Sequence, residues 1–269
     1  MKKTILHTAL LAALTVPALA FAEEAAPAAP AATPEHTLTG NVGLVSDYVY
    51  RGISQTSHNP AIQGGFDYTH ASGFYAGVWG SNVSWIADSG AVAPGGSVTM
   101  ELDTYLGFKN SFAGDFSYDV GFIRYNYLGK YTANPGFAKA DTQEIYGALG
   151  YKWITAKYSY GLGQFLTVPD ARGTNYIELN ANFPVADSGF TLIGHIGKQT
   201  YKGAPAAALA AAGLSPTYSD YKVGVTKDIS GYVLGLAYTK TNASPFYTFP
   251  ATGGNWGKGT VAVSLTHAL

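Results

Sequence analysis

Acidic side chains recur at positions from which they could attract cations. Glu101, Asp103, Glu144 and Glu178 each stand in a stretch where polar and apolar residues alternate, and each falls on the polar side. A narrow passage lined by charges of one sign concentrates counter-ions of the other sign. The pattern therefore predicts a passage that favours cations or neutral polar solutes. The residues predicted to line it are Asp47, Arg51, Glu101, Asp103, Glu144, Glu178, Lys157 and Asn180.

A second interpretation of the same residues is structural. The carboxylates could pair with Arg51, Arg124 and the inward lysines, because charges removed from water are usually paired. They would then plug and rigidify the passage instead of selecting solutes. In either case the pattern predicts that Arg51 and Arg124 lie near the outer rim.

Nothing in the sequence predicts an enzyme, a cofactor or a metal centre. The chain has no cysteine and six histidines, of which His195 is the one on the polar side of an alternating stretch. No G-x-S-x-G elbow is present, and no two histidines stand close in the pattern, so we expect neither a catalytic triad nor a zinc site. The formal net charge of −1 gives no basic surplus for nucleic acid.

Twelve stretches with a period of two must position these residues. Their length of about 9–12 residues matches strands that cross a bilayer at a tilt. The connections alternate strictly between short and long, as in an up-and-down barrel with short periplasmic turns and longer extracellular loops. The predicted strands are 37–50, 61–70, 74–85, 98–109, 116–128, 140–152, 156–163, 174–183, 190–201, 218–227, 232–241 and 259–269.

The two sides of these strands differ as lipid and water require. Alternation alone would also fit a soluble sandwich, but aromatic residues collect on the apolar side near the short turns, as in an interfacial girdle. Examples are Phe108, Phe116, Tyr151 and Phe183. In the first strand we expect Leu38, Val42 and Leu44 to face lipid, Tyr48 and Tyr50 to mark the outer interface, and Asn41 and Asp47 to face inward.

Composition and the N-terminus place the barrel in the outer membrane. Charged residues make up 12% of the chain, about half of the ~25% that is usual in soluble domains. Two lysines, an apolar run and the Ala20-Phe21-Ala22 site predict a signal peptide over 1–22. Residues 23–36 read as a flexible Ala/Pro-rich lead-in, and 37–269 as the barrel. Its expected partners are outer-membrane lipid and lipopolysaccharide, the barrel-insertion machinery and small solutes.

The segment 43–85 resembles the opening of the TorF-type porin family of proteobacterial outer membranes, long catalogued as conserved proteins of unknown function. The similarity lies in Ser46-Asp47-Tyr48, Arg51-Gly52, Gln63-Gly64-Gly65, Phe74-Tyr75-Ala76-Gly77 and Trp79-Gly80-Ser81-Asn82-Val83. The resemblance implies an outer-membrane barrel with a pore role, and no catalytic residues. A non-conducting barrel that acts as a surface adhesin or structural protein is the alternative.

Overall fold

Twelve antiparallel strands close into one barrel in the described part of the chain. The computed structural model describes residues 34–243, 245–249 and 254–269. The predicted signal peptide and nearly all of the lead-in lie outside the described residues. The barrel strands are β1 His36–Val45, β2 Ala61–His70, β3 Phe74–Asn82, β4 Met100–Phe112, β5 Phe116–Leu128, β6 Thr142–Tyr151, β7 Ile154–Gly161, β8 Asn175–Pro184, β9 Phe190–Thr200, β10 Tyr218–Ile229, β11 Tyr232–Thr241 and β12 Thr260–Ala268.

Each strand pairs with its neighbours in sequence, and β1 closes the barrel by pairing with β12. The register joins Asn41 to Ala268 and Val45 to Ser264. Closure leaves no open sheet edge, so the backbone hydrogen bonds of every strand have a partner inside the barrel wall. The predicted twelve-stranded antiparallel barrel is therefore confirmed.

The short turns owe their tightness to residues that adopt positive φ. Between β10 and β11, Ser230 and Gly231 have φ values of 54° and 85°. Positive φ at both central residues is the requirement of a type I′ hairpin, whose twist matches that of the flanking strands. At the turn between β2 and β3, Gly73 has a φ of 99°, and a side chain there would collide with the carbonyl oxygen of Lys109.

The long connections carry the two helices. Helix α1 spans Trp85–Asp88 and α2 spans Ala204–Ala211. Among the residues that the structure describes, no helix is long and apolar enough to cross a membrane.

The barrel exterior is apolar around its whole circumference. Large hydrophobic side chains on the outward positions are strongly exposed, for example Leu38 at 73% and Leu44 at 56%. At the short-turn end the exposed residues are mostly aromatic and contact one another, as Phe116 does with Tyr151 and Trp153 with Phe183. The aliphatic belt with an aromatic girdle is confirmed, and it is the surface that a bilayer requires.

Tyrosines fill the interior where glycines leave space. Gly121 on β5 lies directly opposite Tyr146 on β6, and Gly107 on β4 lies opposite Tyr75 on β3. A Cβ atom on Gly121 would lie 2.5 Å from the Tyr146 hydroxyl oxygen and 2.9 Å from the carbonyl oxygen of Leu106. Glycine in these strands is therefore a packing partner for a ring on the neighbouring strand.

We expect Gly121→Ala to destabilise the barrel by about 1–3 kcal/mol, because the added methyl group overpacks against a ring and a backbone oxygen. Gly147→Ala is the matched control, since a Cβ there meets nothing within 4 Å. Urea unfolding in detergent, followed by tryptophan fluorescence, measures both variants. Equal stability of the two variants would contradict this account of the glycines.

Candidate functional site

The interior of the barrel is crossed by the connection between β1 and β2. We call residues 46–60 the lumenal hairpin; within it, the two-residue strands Val49–Tyr50 and Ile53–Ser54 pair with each other. Its side chains reach the wall on several sides. The Tyr48 hydroxyl donates to Glu101 on β4 (2.7 Å), and Tyr50 bonds to Tyr125 on β5 (3.1 Å).

Arg51 fixes the tip of this hairpin to the far wall. Its guanidinium makes a bidentate pair with Glu144 on β6, with Nη1–Oε1 at 3.1 Å and Nη2–Oε2 at 2.8 Å. Nη1 also donates to Gln199 on β9 at 2.8 Å. The ring of Tyr176 stacks on the guanidinium at 4.3 Å. A planar, always-charged guanidinium suits this fork-and-stack geometry, which lysine could not reproduce.

The pair between Arg51 and Glu144 is buried, with side-chain exposures of 4% and 1%. Strands β6 and β9 lie across the barrel from β1 and β2, which hold the two ends of the hairpin. The contacts therefore bridge the lumen. The conformation is further fixed within the hairpin, where Asp47 accepts from Ser54 Oγ (2.6 Å) and contacts His58 Nδ1 (2.7 Å).

Two expectations about this segment are wrong, and a third agrees with the structure. The first strand ends at Val45, not at residue 50. Tyr48 and Tyr50 lie inside the barrel, not at the outer interface, because the chain turns inward after Val45. Arg51 lies inside the barrel, and its partners Glu144 and Gln199 stand near the extracellular ends of β6 and β9, which agrees with the expected depth near the outer rim. The period of two continues through these tyrosines, so the pattern alone could not show the turn.

Arg124 lies on the outward side of β5 without a bulge in the pairing of that strand. Its side chain is 44% exposed, its Nε donates to Asn126 Oδ1 at 2.6 Å, and its Nη2 lies 4.0 Å from Asp141 Oδ2. The position near the extracellular end of β5 agrees with the expected place at the outer rim.

All eight residues predicted to line the passage point into the barrel, and all are buried: Asp47, Arg51, Glu101, Asp103, Glu144, Glu178, Lys157 and Asn180. Asp47 holds the hairpin together from within, and the structure brings the other seven into three groups. Arg51 and Glu144 form the hairpin anchor. Glu178, Asn180 and Lys157 belong to a polar network on β7 to β10. Glu101 and Asp103 form a separate acidic pair on β4.

The network around Glu178 is densely hydrogen-bonded. Asn180 Nδ2 donates to Glu178 Oε2 at 2.9 Å, and Asn180 Oδ1 lies 2.6 Å from His195 Nδ1. The other ring nitrogen of His195 lies 2.8 Å from Asp220 Oδ1. Lys157 stands directly across from Glu178 in the register of β7 and β8. The acids of this group therefore have basic neighbours.

The acidic pair on β4, Glu101 and Asp103, has no basic partner within the described ranges. Within the described residues, neither Glu101 nor Asp103 takes part in an ion pair. Glu101 accepts from the Tyr48 hydroxyl, while Asp103 Oδ1 is buried without any hydrogen-bond partner. The indole Nε1 of Trp79, opposite Asp103 in the register of β3 and β4, is also buried and unpartnered. Among the described residues of the barrel strands, these are the two buried side-chain polar atoms without a hydrogen-bond partner.

Inward carboxylates outnumber inward basic side chains as a whole. In the described strands and the hairpin, the acids are Asp47, Asp67, Glu101, Asp103, Asp119, Glu144, Glu178, Asp220 and Asp228, and the basic residues are Arg51, Lys109, Lys157, His195 and Lys222. An interior with this excess of negative charge favours cations over anions.

Sequence reasoning did not find every partner of these groups. Gln199, which shares the Arg51 guanidinium, and Tyr48, which binds Glu101, were not expected at the site. Gln199 has the inward parity of β9, and that parity is the signal that could have placed it in the lumen. The expectation that no two histidines lie close is also wrong, because His36 and His70 stand opposite each other on β1 and β2.

A closed barrel with an apolar exterior, an aromatic girdle and a charged interior is a transmembrane β-barrel of the bacterial outer membrane. The chain belongs to the family described as "Bacterial protein of unknown function (Gcw_chp)", whose model matches residues 28–269. Among curated proteins, none matches the chain.

Solved outer-membrane channels are similar to the chain at low identity. The NanC porin is 10% identical with a TM-score of 0.47 over 86% of this chain and 98% of that chain. The channel DcaP of Acinetobacter baumannii is 8% identical with a TM-score of 0.41 over 87% and 97%. OprD of Pseudomonas aeruginosa is 13% identical with a TM-score of 0.37 over 86% and 66%.

Proposed function

We propose that the protein is an outer-membrane channel for passive diffusion of small cations and neutral polar solutes, and that the lumenal hairpin holds it closed in this conformation. The observation that carries the proposal is the acidic pair Glu101 and Asp103. These two carboxylates face the lumen and have no basic partner in the described part of the chain.

Burying charge without a partner costs several kcal/mol, so an interior built only for rigidity would pair these acids or replace them with apolar residues. A barrel that admits cations has a reason to keep them, because a passing cation is the missing partner. The rings of Tyr48 and Trp79 next to the pair offer faces on which an ammonium or metal cation gains further attraction.

The proposed gate follows from the contacts of the hairpin. Its tip is anchored by one arginine that side chains of two strands hold, and two tyrosine hydroxyls add contacts to the wall. Its base is tied to β12 through Ser46 and Val263, and Gln55 accepts backbone hydrogen bonds from the segment after β3, so the tip is the part that can be released. Displacement of the hairpin would expose Glu101, Asp103 and Glu144 to one continuous lumen. The resemblance to the TorF-type porins supports a pore role, and lipopolysaccharide and the insertion machinery are its expected partners in the membrane.

Planar-bilayer recording across a KCl gradient tests the selectivity. We expect discrete currents with a cation-favouring reversal potential in the wild type. In the double variant Glu101→Gln with Asp103→Asn we expect that potential to move toward zero, since the unpaired lumenal charge is gone while side-chain size is kept.

The matched control is Asp115→Asn with Asp187→Asn, which removes two carboxylates from the short turns outside the lumen. This control should leave the reversal potential close to that of the wild type. Currents whose selectivity is the same in both double variants would refute a selective role for the acidic pair.

A specific observation also favours the alternative of a non-conducting surface barrel. Much of the inward charge is paired and buried, and the hairpin contacts both sides of the wall. Liposome swelling with small sugars separates the two functions. If neither the wild type nor a variant with a released hairpin admits solutes, the barrel serves as an adhesin or structural protein.

A further inference from the structure

We propose a transition-metal site at the periplasmic rim, formed by Glu35, His36 and His70. It is independent of the proposed transport function, because it lies outside the lumen at the short-turn end of β1 and β2. The ligand class is a borderline divalent ion such as Zn²⁺, Ni²⁺ or Cu²⁺, for which imidazole is a preferred ligand and a carboxylate an acceptable one.

The strand register brings the ligands together. His36 at the start of β1 is paired directly with His70 at the end of β2, and their ring centroids lie 5.1 Å apart. The Glu35 backbone is held in place because its carbonyl accepts from Ala71 N at 2.9 Å. One donor atom from each of the three side chains lies within 4.8 Å of the others.

The separations suit a tetrahedral ion. Ligand atoms at about 2.0–2.2 Å from zinc lie roughly 3.3–3.5 Å from one another. Glu35 Oε1 and His70 Nε2 are already 3.5 Å apart. Glu35 and His36 are exposed and His70 is half-buried, so a small rotation of solvent-facing side chains brings the third ligand into place. A water molecule would complete the coordination.

Hydroxyl groups hold both rings from behind. His36 Nδ1 lies 2.7 Å from the Tyr68 hydroxyl, and His70 Nδ1 lies 2.7 Å from Ser72 Oγ. Histidines that bind a metal through Nε2 donate the Nδ1 proton to a neighbouring hydrogen-bond acceptor. The Ser72 backbone N–H also faces His70 Nδ1 at 3.1 Å, so binding requires that nitrogen to take up the proton and donate to Ser72 Oγ.

Zinc binding to the mature protein in detergent, purified without a polyhistidine tag, tests the site. Competition with a chromophoric chelator should give one zinc ion per chain, and Mg²⁺ should not compete. We expect His36→Ala or His70→Ala to weaken binding at least about tenfold, and the double variant to abolish it, because imidazoles are the principal ligands. Glu35→Gln should weaken zinc binding less. Tyr68→Phe should weaken it about tenfold, because the Tyr68 hydroxyl orients the His36 ring.

His267→Ala is the control. His267 lies at the same end of the barrel, stacked on Tyr232, and its Nδ1 contacts the carbonyl oxygen of Gly231. This variant should bind one zinc ion as tightly as the wild type. The heat-dependent gel mobility of each variant checks that its barrel has folded.

Copper provides a readout that does not depend on affinity. The electron paramagnetic resonance spectrum of the Cu²⁺ form should show two nitrogen ligands in the wild type and one in either single histidine variant. Absence of stoichiometric zinc binding in the wild type, or binding that persists in the double histidine variant, overturns the proposal.

Discussion

Replacing Arg51 with alanine is expected to release the lumenal hairpin and unblock the lumen. Planar bilayers should then show larger and more frequent currents than with the wild type. The substitution removes the guanidinium that joins the lumenal hairpin to Glu144 and Gln199. Removing one partner of a buried ion pair costs about 3–5 kcal/mol, because the other charge stays buried and uncompensated. If this cost falls on the closed state alone, the ratio of closed to open molecules changes by roughly 10²–10³-fold or more.

Glu144→Gln should act in the same direction as Arg51→Ala, since it leaves the same contact incomplete. The double variant should open the channel little further than either single change, because residues of one network are not additive. Arg124→Ala is the matched control, as Arg124 lies on the outer face and its nearest acid is 4.0 Å away. Currents that are unchanged in Arg51→Ala, or changed equally in Arg124→Ala, would exclude the hairpin as a gate.

Placing an arginine at Leu236 is expected to prevent stable assembly in the membrane. Leu236 lies in the middle of β11, between Val225 and Val263 in the register, with 51% of its surface exposed. An arginine on the lipid face costs about 2–4 kcal/mol at the bilayer midplane and about 0–1 kcal/mol near the interfaces. That cost is a large fraction of the stability of a typical domain.

Ile62→Arg is the control for this effect, because Ile62 has the same outward orientation but lies at the extracellular end of β2, opposite Leu44. We expect the Leu236 variant to lose most of its heat-modifiable band and the Ile62 variant to keep it. Urea titration of the folded fraction in lipid vesicles gives the difference in the free energy of unfolding. Equal losses would show that burial in lipid does not decide the outcome.

The wall of the barrel could be predicted from local pattern because two solvents act on every strand. Lipid outside and water or polar side chains inside impose a period of two, and the strand bounds follow within about three residues in eleven of twelve cases. The eight residues predicted to line the passage face inward, and outward residues within the strands, such as Leu38 and Leu44, are exposed on the barrel exterior. Their role as pore-lining residues stays a prediction.

The hairpin shows where the local pattern failed. Tyr48 and Tyr50 continue the alternation of β1, yet their hydroxyls bind Glu101 and Tyr125 inside the barrel. An aromatic residue at the end of a strand satisfies the same pattern whether it meets headgroups or a lumenal carboxylate. The choice depends on what space the closed barrel leaves, which no window of neighbouring residues contains.

By itself the sequence determined the class of fold, the inward and outward faces and the acidic character of the interior, because these depend on alternation that is visible over a few residues. Only the tertiary structure decided that Arg51 meets Glu144 and Gln199, that Glu101 and Asp103 stay without a basic partner, and that His36 faces His70. These contacts join residues far apart in the chain. They are set by the register of paired strands and by the closure of β1 on β12.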